Sequence, residues 1–138
     1  HAPGQRFQQM LSHRVNIMVG KESACLVVKV YGHHAGIIAS AVPAPMQLDK
    51  IASVTKGQIP LFVDGCVEDG LDVFKCMALG AAAVGVGKKL IADLKSGGKE
   101  GAEAGITRMT REFAAIMAKC GQAKPDSIAP AVIVKRTF

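Results

Sequence analysis

Short apolar runs alternate with helical patterns along the chain, and this order constrains its fold more than any other feature. Each run is typical of a buried strand and leads through a glycine-containing loop towards a helix, the three runs being 26–30, 59–63 and 83–87. Continuous apolar strands that alternate with helices are typical of parallel β/α units. Since the functional residues of such folds lie in the loops after the strands, we expect the chemistry in residues 31–36, 64–70 and 87–89.

Four helices are expected between and after these strands. Asp69 is well suited to cap one of them, because its side chain accepts hydrogen bonds from the N–H groups of a helix start. Gly57, Gly80 and Gly121 are expected to end helices, and Gly97-Gly98 is expected to separate the last two. The expected helices span 46–55, 70–79, 88–95 and 100–120, and the apolar stripe of the last one is interpreted as a core face.

The length of 138 residues bounds the number of domains. It allows one domain with a substantial core, and it falls short of a complete (β/α)₈ barrel, which needs about 250 residues. We therefore expect a single α/β domain over residues 1–138. Residues 1–24 show a weak helical pattern followed by an extended apolar stretch, and no element is assigned there.

Charge and composition exclude several classes of partner. The net charge is +6, but lysine and arginine are spread along the chain and aromatic residues make up only 4%. Since nucleic-acid modules use basic tracts and stacking aromatics, we expect no nucleic-acid partner. We also expect no membrane span, because no apolar run reaches the ~18 residues that one requires.

The four cysteines, at positions 25, 66, 76 and 120, lack the spacing of a metal site. No pair is separated by two residues and no Cys/His cluster repeats, so we expect no metal ion. Reduced and mostly buried thiols fit a cytoplasmic protein, which is the location that we expect. At Cys66 a packing role is favoured over reactivity beside a helix start.

Two of the three loops combine glycine with a charged neighbour. Asp64-Gly65 and Gly87-Lys88 each follow an apolar strand and precede a helix. Glycine lets the backbone approach a ligand, and the N–H groups of a helix start attract anions. The two loops together suit a phosphate site, and a pair of ordinary tight β/α turns is the alternative.

The remaining loop contains His33 and His34 between glycines. Because imidazole exchanges a proton near neutral pH, this pair is the best candidate for a general base, and an exposed histidine pair without function is the alternative. Lys29 lies inside an apolar run, where a charge is rarely buried without a partner. It is expected either near the strand's end, facing a ligand, or in an edge strand.

Several segments of the chain resemble one enzyme family. They are Ile-Pro-Leu-Phe-Val-Asp-Gly at 59–65, Asp-Val-Phe-Lys at 72–75, Ala-Leu-Gly-Ala at 78–81, Ala-Val-Gly-Val-Gly at 83–87 and Gly-Gly-Lys-Glu-Gly at 97–101. Together they resemble the C-terminal half of the FMN-dependent α-hydroxy acid oxidases and dehydrogenases, such as glycolate and lactate oxidases. The resemblance is continuous over 42–128 and, with the strand of Lys29, covers 25–128. It implies parallel β/α units from the C-terminal half of a (β/α)₈ barrel that binds FMN.

The resemblance implies a role for each candidate residue. The loops of Asp64-Gly65 and Gly87-Lys88 would hold the FMN phosphate, and Lys29 would face the flavin ring. His34, with His33 as the alternate, would take a proton from a small 2-hydroxy acid while a hydride equivalent passes to the flavin.

The chain departs from the family's pattern at several places. The family has arginine at the position of Lys88, a second glycine at Cys66 and an arginine near Glu68 or Asp69. The arginine that binds the substrate carboxylate is replaced by Ile37. Between Lys29 and His33 the family has a further βα unit. A second alignment therefore assigns 35–40 to the missing strand and deletes the histidine loop.

The favoured hypothesis is that the chain is part of an FMN-dependent enzyme that oxidises a glycolate-type or lactate-type 2-hydroxy acid. Two alternatives are a non-catalytic half-barrel that serves as an interaction protein, and a β/α protein that binds another phosphorylated ligand. Because half a barrel exposes strand edges, we expect the chain to form a homo-oligomer or to pair with a complementing chain.

Overall fold

The computed structural model describes the backbone of residues 15–19 and 26–31, and residues 45–134 in full. Within these residues, four strands and three helices are followed by two short 3₁₀ turns, Pro125–Ser127 and Pro130–Val132. The elements in chain order are β1 (Val15–Val19), β2 (Leu26–Tyr31), α1 (Pro45–Thr55), β3 (Leu61–Asp64), α2 (Gly70–Ala78), β4 (Ala81–Gly85) and α3 (Gly87–Lys119).

The strands form one sheet in the order β1-β2-β3-β4. β2, β3 and β4 run parallel, which confirms the parallel β/α units expected from the sequence. β1 differs, since it pairs antiparallel with β2, with Val15 opposite Val30. Only residues 20–25 separate these two strands, and that length is too short for a parallel crossover connection.

Helices cover one face of the sheet. Leu61 and Val63 of β3 are buried in one cluster with Leu48 of α1 and Cys76 of α2. Phe62 lies between them in sequence and is 38% exposed, because successive side chains of a strand point to opposite faces. Within the described residues, the face of β3 that carries Phe62 is therefore the exposed one.

A second cluster joins α2 to α3 and to the C-terminal turns. Its buried members are Phe74 and Ala78 of α2, Met117 of α3, and Ile128. The interpretation of the α3 stripe as a core face is correct for Met117 but wrong for Ile106, which is 52% exposed. No helix among the residues that the structure describes is long and apolar enough to cross a membrane.

β2 begins at Leu26, as expected, whereas β3 and β4 begin at different residues from those expected. β3 begins at Leu61, after Pro60, which has no N–H to donate to a neighbouring strand. β4 occupies Ala81–Gly85 instead of 83–87, because the chain leaves α2 through Gly80, at φ 103°, and enters the sheet at once. As a result, Gly87 is already the first residue of α3.

α3 contains the break that the two adjacent glycines predict. Its backbone is not helical at Gly97 and Gly98, and the φ of 61° and ψ of −148° at Gly98 suit glycine alone. The helix turns here, and its first part packs back against its second. Asp93 lies so close to Gly105 that a Cβ at position 105 would be 2.3 Å from the Asp93 carboxylate.

Candidate functional site

The carboxyl ends of β2, β3 and β4 lie along one edge of the sheet. The register places Tyr31 beside Asp64, and Asp64 beside Gly85. Lys29 pairs with Phe62, two residues earlier along the strands. The structure therefore brings the backbone of Lys29, the Asp64-Gly65 turn and the start of α3 at Gly87-Lys88 to the same end of the parallel strands.

The candidate base lies elsewhere in the chain. His33, His34 and Ile37 are outside the described residues, as is the strand that the second alignment assigns to 35–40. Their roles stay predictions.

The side chain of Asp64 lies against β4. A Cβ at Gly85 would be 3.2 Å from the Asp64 Oδ1, a distance tighter than most real contacts. Gly85 thus makes room for the carboxylate at the end of the strand. Local patterns did not single out Gly85, although it stands in the Ala-Val-Gly-Val-Gly segment that carries the family resemblance.

The start of α3 is suited to an anion. Val86 precedes the helix and supplies no side-chain hydrogen bond to it. Among the described residues, and apart from its chain neighbours and the backbone of α3 itself, no heavy atom comes within 4 Å of the place where a Cβ of Gly87 would lie. Lys88 is exposed beside this space, whereas the ammonium group of Lys89 donates to Asp93 one turn later. Backbone N–H groups, space and a positive charge therefore coincide at Gly87-Lys88.

The start of α2 is not suited to an anion, because carboxylates already accept from its N–H groups. The Asp72 N–H donates to Asp69 at 2.9 Å, which confirms Asp69 as the N-cap. The Gly70 N–H donates to Glu112 at 2.9 Å, and the Glu68 N–H donates to Asp72 at 3.3 Å. These acids make the 68–72 side of the site negative, and Lys75 offsets part of that charge by pairing with Asp72 at 3.4 Å.

The turn after β3 has an unusual backbone. Gly65 and Cys66 both have positive φ, 101° and 59°. Cys66 is exposed, so the packing role favoured from the sequence is wrong for this residue.

The remaining described cysteines differ from each other. Cys120 is exposed, so the expectation of mostly buried thiols is wrong there too. Cys76 is buried, and burial, reinforced by the Asp72 carboxylate and opposed by Lys75, raises the pKa of its thiol to about 11. Cys76 therefore stays protonated at neutral pH and packs as a small apolar side chain.

Replacing Cys66 with glycine is expected to stabilise the chain by about 0.5–1 kcal/mol. A left-handed residue with a Cβ costs about 1–2 kcal/mol, and part of the gain is offset by the greater freedom of glycine in the unfolded chain. Chemical denaturation measures the change. Cys120→Gly is the control: Cys120 has φ −91°, so glycine there should leave stability unchanged or lower it. A loss of stability in Cys66→Gly would show that the backbone at Cys66 is not strained.

Relatives of known activity share much of this sequence. An L-lactate oxidase of Roseobacter sp. (strain GAI101) is 38% identical over 102 residues, covering 73% of this chain and 28% of the relative. A glycolate oxidase of Spinacia oleracea is 37% identical over 93 residues, covering 67% of this chain and 25% of the relative. The chain thus spans less than a third of the length of these relatives.

Solved structures share the fold. A mandelate oxidase variant with a monooxide FMN adduct has a TM-score of 0.65 and 30% identity, over 70% of this chain and 31% of that one. A flavocytochrome b2 variant with sulfite bound has a TM-score of 0.71 over 77% of this chain and 29% of that one. At 23% identity, the second match shows the fold alone.

The family itself is identified by a sequence model. The model described as FMN-dependent dehydrogenase matches residues 23–135, which is most of the chain. This match and the relatives confirm the resemblance found in the sequence. The chain belongs to the FMN-dependent dehydrogenase family.

Proposed function

We propose that this chain is part of an FMN-dependent (β/α)₈-barrel enzyme that oxidises a small 2-hydroxy acid to the 2-oxo acid. The observation that carries the proposal is the start of α3, where an uncapped helix end, the space at Gly87 and the exposed Lys88 meet. This end lies beside Asp64 at the carboxyl edge of the parallel strands. Membership of an FMN-dependent family and relatives that are lactate and glycolate oxidases support the same reading.

The residues present fit the two ends of FMN. The N–H groups at the start of α3 and the Lys88 ammonium suit a phosphate group. On the exposed face of β3 and β4, Phe62 pairs with the small, exposed Ala83, and a flat ring would lie against this face. The Asp64-Gly65 turn borders this face, and Lys29 occupies the matching register position on β2.

Each proposed residue has one task in the reaction. Gly87 and Lys88 bind the phosphate, the Asp64-Gly65 turn bounds the site, and Lys29 lies next to the ring. His34, or His33 as the alternate, takes the hydroxyl proton of the 2-hydroxy acid. When bound, FMN supplies the acceptor for the hydride equivalent that leaves the α-carbon.

The surroundings of the chain are part of the proposal. Since the chain spans less than a third of its relatives, further β/α units would complete the barrel. They would come from the rest of a longer polypeptide, from a second copy or from a complementing chain. A cytoplasmic location is proposed from the cysteine content, while two matched relatives of Arabidopsis thaliana carry peroxisomal names.

Lys88→Ala is expected to weaken FMN binding about tenfold, because it removes a charged contact to the phosphate. Titration of FMN with the protein, followed by the quenching of flavin fluorescence, measures the affinity. Lys89→Ala is the matched control: its ammonium already donates to Asp93, so FMN affinity should change little. The loss of that ion pair should lower stability by about 1 kcal/mol or less.

Two results would count against the proposed function. If the unmodified chain takes up no FMN and shows no flavin absorption, the non-catalytic half-barrel becomes the better interpretation. If Lys88→Ala and Lys89→Ala weaken FMN equally, the phosphate does not lie at the start of α3.

A further inference from the structure

Glu112 of α3 makes a long-range contact with the first residue of α2. Its Oε2 accepts from the Gly70 N–H at 2.9 Å, across 42 residues of sequence. Its Oε1 accepts from Nη1 of Arg108, one turn earlier on the same helix, at 2.7 Å. Both carboxylate oxygens are therefore engaged, and Arg108 orients the group towards α2.

The two helices touch at backbone level at this point. A Cβ at Gly70 would lie 2.4 Å from the Phe113 nitrogen and 2.6 Å from the Met109 carbonyl oxygen. Gly70 is buried and Phe113 follows Glu112 directly. The start of α2 is thus held to α3 by one hydrogen bond to a carboxylate and by a contact that only glycine permits.

The contact lies at the exit of the turn that borders the proposed phosphate site. Residues 65–69 leave β3 at Asp64 and reach α2 at Gly70, so the Gly70–Glu112 contact fixes one end of that turn. α3, which carries Glu112, also begins at Gly87-Lys88. The first segment of α3 therefore carries the anion-binding start, and its second segment, beyond the break at Gly97-Gly98, holds the end of the turn after β3.

We propose that Glu112 is a positioning residue for the phosphate site, with its carboxylate, oriented by Arg108, holding the 65–69 turn against α3. The proposal rests on the proposed function for its ligand, FMN. Asp69 caps α2 through its side chain, but this hydrogen bond lies within the start of α2 and does not join α2 to another element. Val67 anchors the middle of the turn in the apolar core, and Glu112 adds the hydrogen bond that ties the end of the turn to α3.

The charges around Glu112 keep it ionised. The Gly70 N–H, and then Arg108, lower the pKa of the Glu112 carboxyl, while desolvation and the Asp69 carboxylate act in the opposite direction. Since the folded-state pKa is lowered, the contact is complete above the ordinary glutamate range. It is lost as the pH falls through the lowered pKa.

The test compares Glu112→Ala, Glu112→Gln and Glu103→Gln in the full chain. Glu103 is the matched control, since it lies on α3, pairs with Lys99 at i,i+4 and is exposed. Amide hydrogen exchange of residues 65–72, measured by NMR without ligand, reports how firmly the turn is held. Quenching of FMN fluorescence reports the affinity of the site for FMN. In Glu112→Ala we expect exchange at Gly70 to rise about tenfold and FMN affinity to fall about tenfold.

Glu112→Gln and the pH dependence separate positioning from general stability. Glutamine keeps an oxygen that accepts from Gly70 but loses the charge, so it should restore part of the protection and part of the affinity. In the unmodified chain and in Glu103→Gln, protection at Gly70 should fall as the pH drops below the ordinary glutamate range of about 4.3. In Glu112→Gln it should show no such step.

The outcomes distinguish this inference from the proposed function. If the unmodified chain binds FMN and Glu112→Ala binds it equally well, the positioning role is wrong and the function stands. The role is also wrong if exchange rises as much in β3 as in residues 65–72, since that indicates general destabilisation. If the unmodified chain binds no FMN, the proposed function falls, and this role falls with it.

Discussion

Gly70→Ala is expected to lower the free energy of unfolding by about 3 kcal/mol, the upper end of the usual cost of overpacking. The added methyl would meet the Phe113 nitrogen and the Met109 carbonyl oxygen at 2.4 and 2.6 Å. These are backbone atoms of a helix, so no side-chain rotation relieves the clash. α2 and α3 would have to separate, and the Gly70 hydrogen bond to Glu112 would lengthen.

Gly97→Ala is the matched control for this substitution. Gly97 has a φ of −135°, which alanine adopts, and no heavy atom of the described residues beyond its own helix backbone lies within 4 Å of its Cβ position. Its stability should stay within about 0.5 kcal/mol of the unmodified chain. Urea denaturation followed by far-UV circular dichroism suits this chain, which has no tryptophan. Equal losses in the two variants would show that α2 and α3 do not pack as described.

Phe74→Ala is expected to have the largest effect, a loss of about 3–5 kcal/mol. The Phe74 side chain is 2% exposed and fills the cluster between α2, α3 and Ile128. Its ring also contacts that of Phe113, with centroids 6.3 Å apart and planes inclined by 56°. Truncation removes this contact and leaves a cavity that the rigid helix pair cannot close.

Because such a loss approaches the whole stability of a small domain, a milder variant keeps the measurement readable. Phe74→Leu retains most of the volume and should cost about 1–1.5 kcal/mol. Phe62→Ala is the control for the alanine substitution, since Phe62 is 38% exposed on the other face of the sheet. It should cost about 1 kcal/mol or less. A larger loss from Phe62→Ala than from Phe74→Ala would mean that the core lies on the opposite face.

Local rules account for the parts of the fold that the sequence predicted well. Asp69 caps α2 through a contact three residues away, and Gly80 and Gly121 end their helices with positive φ, as expected. The alternation of strands and helices was visible because each element buries an apolar face of its own. The antiparallel β1 was not predicted, because the weak helical pattern and extended apolar stretch of residues 1–24 assign no element there.

Part of the candidate site could be predicted because its residues follow from local patterns at the ends of the strands. Lys29, Asp64, Gly65, Gly87 and Lys88 follow from strand ends, and the register brings their backbones to one edge of the sheet.

Glu112 was missed by sequence reasoning. It lies 42 residues from Gly70, and no pattern on α3 distinguishes it from other exposed acids. The early glycine of α2 was a weak signal, because glycine at the start of a helix fits either a cap or a close approach.

The irregularity in β4 has a consequence for how this strand tolerates change. Leu61 pairs with Ala81 but Phe62 pairs with Ala83, so Ala82 is an extra residue between the paired positions. Three successive alanines offer the sheet nearly equivalent side chains. The register of β4 against β3 therefore depends on Val84, which packs against the core, and on Gly85, which makes room for Asp64. Substitutions are then better tolerated at the exposed Ala82 and Ala83 than at the buried Ala81 or at the last two residues of β4, where a one-residue slip would displace the start of α3.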